Sequence, residues 1–258
     1  MKNIIQAAIA ALGVCGAIGA QASVIGDVGS NAYWGGDAHG YGDVIGESMY
    51  DILGAGISRS GNQLTIQIDT NFAGHAGADA WAAPKGIAYS DLFLAPSWTP
   101  FGVDAHHLND NASNGTHWTY GLSLDNRWNN SGGTFKLYEL GGSSNIGNVL
   151  FSNDFLSCAL GSQCYYRNGQ AVAVNTGSAN VHDTGLSGTW TVSPGSKLLF
   201  TLDVGSSVLG QYTDLALHWG ETCQNDVIEG TVHVPEPLTP ALFFMGLAGL
   251  AMVRRRTR

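Results

Sequence analysis

Positive charge is scarce in this chain away from its two ends. Only 12% of the 258 residues are charged, and five of the 11 Lys and Arg (Lys2, Arg254, Arg255, Arg256 and Arg258) lie at the termini. The rest keeps six basic residues, against 20 acidic ones in the whole sequence. A surface of that sign repels nucleic-acid phosphates and anionic lipid, so neither is an expected partner. Between the ends there is also no amphipathic helical pattern of 12 or more residues and no internal repeat. That leaves helical bundles and solenoids without support.

What the chain does have is turn chemistry and period-two alternation. Gly accounts for 36 residues, with Asn, Ser and Thr throughout, a composition suited to many short strands. Leu64, Ile66 and Ile68 share one face of Gln63 to Asp69, and the same alternation recurs at Trp118, Tyr120, Leu122 and Leu124 and at Leu198, Phe200, Leu202 and Val204. Further predicted strands are 90–95, 134–140, 148–151, 170–174, 188–192, 215–219 and 227–232. Ser60-Gly61-Asn62, Asn130-Ser131-Gly132-Gly133 and Pro194-Gly195 separate them, and Asn168-Gly169 predicts a type I′ hairpin between Tyr166 and Val172. The expected fold class is all-β, a single antiparallel β-sandwich over residues 23–233, in simplest form jelly-roll-like.

The two ends read differently. Residues 1–22 form an expected signal peptide: Met1-Lys2, an apolar run from Ile4 to Ala20, then Ala20-Gln21-Ala22 with small residues where a signal peptidase reads. A lipoprotein cut at Cys15 is the alternative, opposed by Val14 at the position before it. After His233 come Val234-Pro235-Glu236-Pro237, a largely apolar segment from Leu238 to Val253, and the basic stop Arg254, Arg255, Arg256 and Arg258. Prolines 235, 237 and 240 keep a helix from starting earlier. The expected transmembrane helix, Ala241 to Val253, has 13 residues. A comfortable span takes roughly 17–25, so this is a marginal anchor, with its arginines on the cytoplasmic side.

That three-part end, residues 234–258, closely resembles the PEP-CTERM sorting signal recognised by exosortases, membrane-embedded cysteine proteases of Gram-negative bacteria that make extracellular polysaccharide. The resemblance implies an exosortase partner, transient inner-membrane anchoring through the helix, cleavage near the motif, and release or attachment at the cell surface or outer envelope. The run from His218-Trp219 through Cys223 to Asn225-Asp226-Val227-Ile228-Glu229-Gly230 is similar to stretches that precede the motif in other exosortase-dependent proteins. That likeness implies a shared surface domain, not an activity. Residues 224–229 also approach the Glu-x-Asp-x-x-Glu strand of concanavalin-like glycoside hydrolases. Gln224 stands where the nucleophilic carboxylate belongs, and a retaining glycosidase needs two carboxyls. No catalytic residue is therefore assigned.

Cysteine spacing is consistent with export. Cys15 leaves with the signal peptide, and Cys158 and Cys164 enclose a short loop that a disulfide closes in an oxidising compartment, leaving Cys223 over. No metal centre is assigned. His106-His107 with Asn109, Asp110 and Asn111 fits no tight zinc spacing, and a structural calcium in acidic loops such as Asp37 to Asp43 stays open. Of seven tryptophans, Trp118 and Trp219 fall in phase with core residues, whereas Trp34 and Trp128 lie in turn-rich sequence and are the candidate glycan contacts. The expectation is thus a structural or matrix component associated with exopolysaccharide or biofilm. A carbohydrate-binding, lectin-like module is the alternative and a glycoside hydrolase the third reading.

Overall fold

The structure, a computed structural model, describes residues 23–27, 44–101, 111–159, 164, 166–205 and 207–234. The signal peptide, Trp34, residues 37–43, the His106-His107 run to Asp110, and the sorting segment from Pro235 through the basic stop lie outside the described residues.

The described strands are β1 (Ser23–Gly26), β2 (Ile52–Ser60), β3 (Gln63–Thr70), β4 (Leu92–Ala95), β5 (Tyr120–Leu124), β6 (Gly132–Leu140), β7 (Val149–Phe151), β8 (Ala171–Val174), β9 (Val181–Ser193), β10 (Lys197–Asp203), β11 (Asp214–Gly220) and β12 (Val227–His233). Ten form one sheet in the order β1-β2-β3-β10-β9-β6-β5-β4-β11-β12, and every ladder between them is antiparallel. The sheet curls until its two edges face each other, nearly closing a barrel. A Cβ placed on Gly230 of β12 would sit 3.2 Å from the Ile25 side chain of β1, so the seam is tight there. The packing expected of a sandwich is thus achieved by one sheet folded over its own core. Bulges help it bend: the register shifts between Ile52 and Gly54 against β3, and between Lys136 and Tyr138 against β9. Such insertions increase local twist and bend the strand.

Alternation explains what fills the interior. Leu64, Ile66 and Ile68 of β3 meet Leu198, Phe200 and Leu202 of β10, with Ala55, Ile57, Phe135, Trp190 and Trp219 in the same core. Strands β4 and β8 are buried along their whole length, as is all of β11 after Asp214, because the outer face of the sheet is also covered. The β7–β8 hairpin lies over β4, β5 and β11 and builds a second apolar layer with Phe93, Trp118, Val174 and Ala216. Gly121 of β5 makes this approach feasible, since a Cβ there would fall 2.4 Å from Val174 Cγ2. Asp91 pins the layer: its buried carboxylate accepts from Leu124 N, Val174 N and Arg127 Nη2.

One predicted hairpin is absent. Asn168 and Gly169 do form a turn, with Gly169 at φ +87°, but Tyr166 and Arg167 are not in a strand. Instead Ala171–Val174 pairs with Val149–Phe151. Competing bonds account for this: Arg167 N donates to Gln224 O at 3.4 Å and Ser152 Oγ donates to Arg167 O at 2.6 Å.

Candidate functional site

Two polar assemblies stand out, one on each face of the β11–β12 pair. On the outer face, beneath the β7–β8 hairpin, His218 and Glu229 occupy directly paired positions and are both buried. His218 Nε2 lies 2.7 Å from Ala171 O and Nδ1 lies 2.8 Å from Glu229 Oε1. Asn111 Nδ2 donates to Glu229 Oε1 and to Gln170 Oε1, both at 2.7 Å, and Trp98 Nε1 donates to Glu229 Oε2 at 3.0 Å. Trp118 Nε1 donates to Asn111 Oδ1 at 2.8 Å, while Asn145 Nδ2 donates to Asn111 O at 2.8 Å. Asn111 reaches this geometry in the left-handed region, φ +54°, which Asn tolerates better than most residues. This network knits a loop, a hairpin and two strands, and its members are buried or nearly so. It has the marks of a structural polar core.

The other assembly closes one end of the barrel. A cavity of about 110 Å³ is lined by Glu47, Tyr50, Asp79, Trp81, Tyr166, Cys223 and Asn225 among others, with the Cys164 half of the disulfide in its wall. Cys158 and Cys164 are bonded, with Cα atoms 6.0 Å apart, and Cys223 is a free buried thiol. Trp81 is the exposed indole here, 61% accessible, and its Nε1 donates to Asp79 Oδ1 at 3.0 Å. The second Asp79 oxygen accepts the Tyr50 hydroxyl. Burial pushes the Tyr50 phenol up, and the Asp79 carboxylate that accepts from its hydroxyl adds to it. Cys223 is likewise held as a thiol, by burial first and then by Glu221. A thiol rather than a thiolate is a poor nucleophile and a poor metal ligand.

Acidic groups lie in the same part of the barrel. Burial and then the charge of Asp226 raise the Glu221 carboxyl well above the ordinary carboxylate range, and burial followed by Asp27 does the same for Asp226. One oxygen each of Asp27, Asp51 and Asp226 lies within 4.8 Å of the others. These are the described residues that could hold a cation.

The structure sorts the sequence-derived residues unevenly. Trp118 and Trp219 are fully buried. Trp128 is half-buried, its Nε1 donating to Gly86 O at 3.1 Å and Lys85 Nζ standing 5.1 Å from the ring centroid. Trp81, flanked by Asp79-Ala80 and Ala82-Ala83-Pro84, was not singled out, although its turn-rich surroundings match those that marked Trp34 and Trp128. His218 and Cys223 belong to different assemblies, the outer network and the barrel end. Asp226 and Glu229 also part company: Asp226 joins Asp27 and Asp51, whereas Glu229 faces His218. The two carboxyls left in the hydrolase-like run therefore do not share a site. Val234 is buried against the core, with its N–H on Thr213 O at 2.7 Å.

Compared with known proteins, the chain matches no family model, no curated protein sequence and no solved structure.

Proposed function

We propose that this chain is an exported surface protein of a Gram-negative bacterium, processed by an exosortase. In this reading a signal peptide (1–22) and a PEP-CTERM-type segment (234–258) flank the β domain. The mature domain serves as a structural component of an exopolysaccharide-associated matrix. The observation that carries the reading is where the last described ladder ends. The last described ladder stops at His233, Val234 N donates to Thr213 O, and Pro235 opens the Pro-Glu-Pro motif in the next position. A cut near that motif leaves every described strand intact. At the other end β1, Ser23–Gly26, lies within the part kept after the expected signal cleavage. The Cys158–Cys164 bond fits an oxidising destination.

The test is the intact mass of the envelope or secreted form. A wild-type host should yield a form lacking the tail, and a Glu236→Ala variant or an exosortase-deficient host should retain it. Membrane insertion depends on apolar length and flanking arginines, so this substitution should leave it unchanged. A tail retained by the wild type would reduce the segment to a plain anchor.

A second reading, carbohydrate binding, has one specific observation in its favour. Trp81 is exposed beside a cavity whose wall carries Glu47, Asp79 and Asn225. An aromatic platform next to a few polar groups is a recurrent way to hold a small polar ligand.

A further inference from the structure

The cavity at the barrel end is rich in acceptors and poor in free donors. Its described lining residues include no Lys, Arg or His, while Glu47 and Asp79 bring two carboxylates. Three side-chain donors of the wall are already committed: the Tyr50 hydroxyl to Asp79, Trp81 Nε1 to Asp79 Oδ1 at 3.0 Å, and Asn225 Nδ2 to Ile45 O at 3.0 Å. Asn225 Oδ1 is a buried acceptor with no hydrogen-bond partner. Arg167 reaches Asn225 only through the backbone, Nη1 donating to Asn225 O at 2.7 Å, and its fully buried side chain is not part of the described lining.

The two carboxylates are placed to receive a ligand. Asp79, in the left-handed region at φ +50°, is held by its bonds from Tyr50 and Trp81. A carboxylate has about four lone-pair sites, so two bonds leave room for a further donor. Glu47 is exposed and makes no cap bond to the 3₁₀ turn Ser48–Tyr50 that follows it, so its carboxylate is not spent on capping.

Trp81 adds an open aromatic face. The indole is exposed, its Nε1 edge is fixed to Asp79, and among the described residues no cation stands over it. The protein makes such a pair elsewhere, where Lys85 Nζ lies 5.1 Å from the Trp128 ring centroid. Among aromatic rings an indole is the best partner for an ammonium.

We propose, resting on the carbohydrate-binding reading, that this cavity takes an amino sugar, its free ammonium seated between Glu47 and Asp79 and its ring stacked on Trp81. An ammonium brings three donors and no acceptor, the complement of this wall. A neutral sugar leaves both carboxylates without a counter-charge, and an acidic sugar meets like charge, which rejects it. A lysine side chain carries the same ammonium, but its slim stem leaves most of the exposed indole uncovered, whereas a pyranose ring covers it. The polysaccharide that fits is therefore a hexosamine polymer with free amino groups.

The experiment titrates the full chain, in mild detergent and a mildly acidic buffer that keeps sugar amines protonated, with three probes in a calorimeter: a glucosamine tetrasaccharide, its N-acetylated counterpart and butylamine. The glucosamine oligomer should bind at least tenfold more tightly than either of the others. Glu47→Gln and Asp79→Asn should each cut that preference at least threefold, and Trp81→Ala should weaken binding of the glucosamine oligomer about tenfold. Asp214→Asn removes an exposed carboxylate at the far end of β11 and should change nothing, which separates this site from general attraction of a polycation to an acidic surface. Equal or tighter binding of the N-acetylated oligomer overturns the ammonium assignment and leaves the carbohydrate reading standing. Butylamine binding as tightly as the glucosamine oligomer, or equal losses in Asp214→Asn and Glu47→Gln, overturns the amino-sugar site. Binding of neither oligomer overturns it too; retention of the chain on immobilised dextran through Trp81 then marks the failure as one of sugar type, and no retention ends the carbohydrate reading with it.

Discussion

His218 Nδ1 lies 2.8 Å from Glu229 Oε1 across directly paired positions of β11 and β12, and both side chains are buried there. Ala171 O can only accept, so His218 Nε2, 2.7 Å away, is the donor there. The second ring nitrogen is bonded to the Glu229 carboxyl. Glu229 also accepts from Asn111 Nδ2 and Trp98 Nε1. Glu229→Ala should therefore remove the acceptor of one Asn111 N–H and of the part-buried Trp98 indole, leave His218 Nδ1 without its partner, and lower stability by about 3 kcal/mol. Urea unfolding measures this, and a loss below about 1 kcal/mol would mean that the network contributes little.

The hairpin cover makes a sharper geometric prediction. Because a Cβ on Gly121 would meet Val174 Cγ2 at 2.4 Å, Gly121→Ala should push β8 off the sheet. Overpacking of this kind costs about 1–3 kcal/mol. Val174→Ala creates room at the same point, so the double variant should be more stable than the sum of the two single effects predicts. Strict additivity in thermal or urea unfolding would place the strain elsewhere.

Alternation made most strands readable before any coordinates. Leu64, Ile66 and Ile68, like Leu198, Phe200 and Leu202, face inward on adjacent strands, as their spacing predicts. The Cys158–Cys164 bond was also readable, because a short loop between two cysteines leaves few alternatives. Strand β2 was missed: Leu53 is exposed, and Ala55-Gly56-Ile57 gives little contrast between faces. Sheet closure was not readable either. It depends on bulges and on Gly230 meeting Ile25, contacts more than 200 residues apart in sequence that no local pattern encodes. The barrel-end assembly was half visible. Glu221, Cys223 and Asp226 fall in one polar run, but their grouping with Tyr50, Asp79, Asp27 and Asp51 comes only from tertiary structure.

Glu221 gives a pH dependence of defined sign. Burial and Asp226 raise its folded-state pKa, so between the unfolded value, about 4.3, and the raised one the folded chain binds more protons than the unfolded chain. Stability contributed by this group is therefore lost as pH rises through that window. Glu221→Gln mimics the protonated form and removes the loss. Without divalent cations the variant and wild type should match near pH 4, and the variant should gain progressively on the wild type toward pH 8. Taking the difference cancels exposed carboxylates such as Asp183, whose lowered pKa acts in the opposite sense. Parallel curves in urea unfolding would show that Glu221 does not titrate differently in the folded state.

Trp81 decides whether the barrel end is a glycan-binding surface. Its indole is 61% exposed, and Asp79, itself held by the Tyr50 hydroxyl, anchors its Nε1 edge. An indole fixed at one edge loses little freedom on stacking against a sugar ring, which favours binding. Trp128 is the built-in comparison: its Nε1 is committed to Gly86 O and Lys85 stands over its ring. If the domain holds exopolysaccharide through this end, Trp81→Ala should weaken retention on immobilised polysaccharide by about tenfold, near 1.4 kcal/mol. Trp128→Ala should leave retention unchanged while lowering the melting temperature, because its ring supports the Lys85 and Gly86 turn rather than facing a ligand. Asp79→Asn should fall between the two, since it keeps an acceptor for Trp81 Nε1 but weakens the bond from Tyr50. A wild-type domain that binds no polysaccharide would end the carbohydrate reading, and so would full retention by Trp81→Ala.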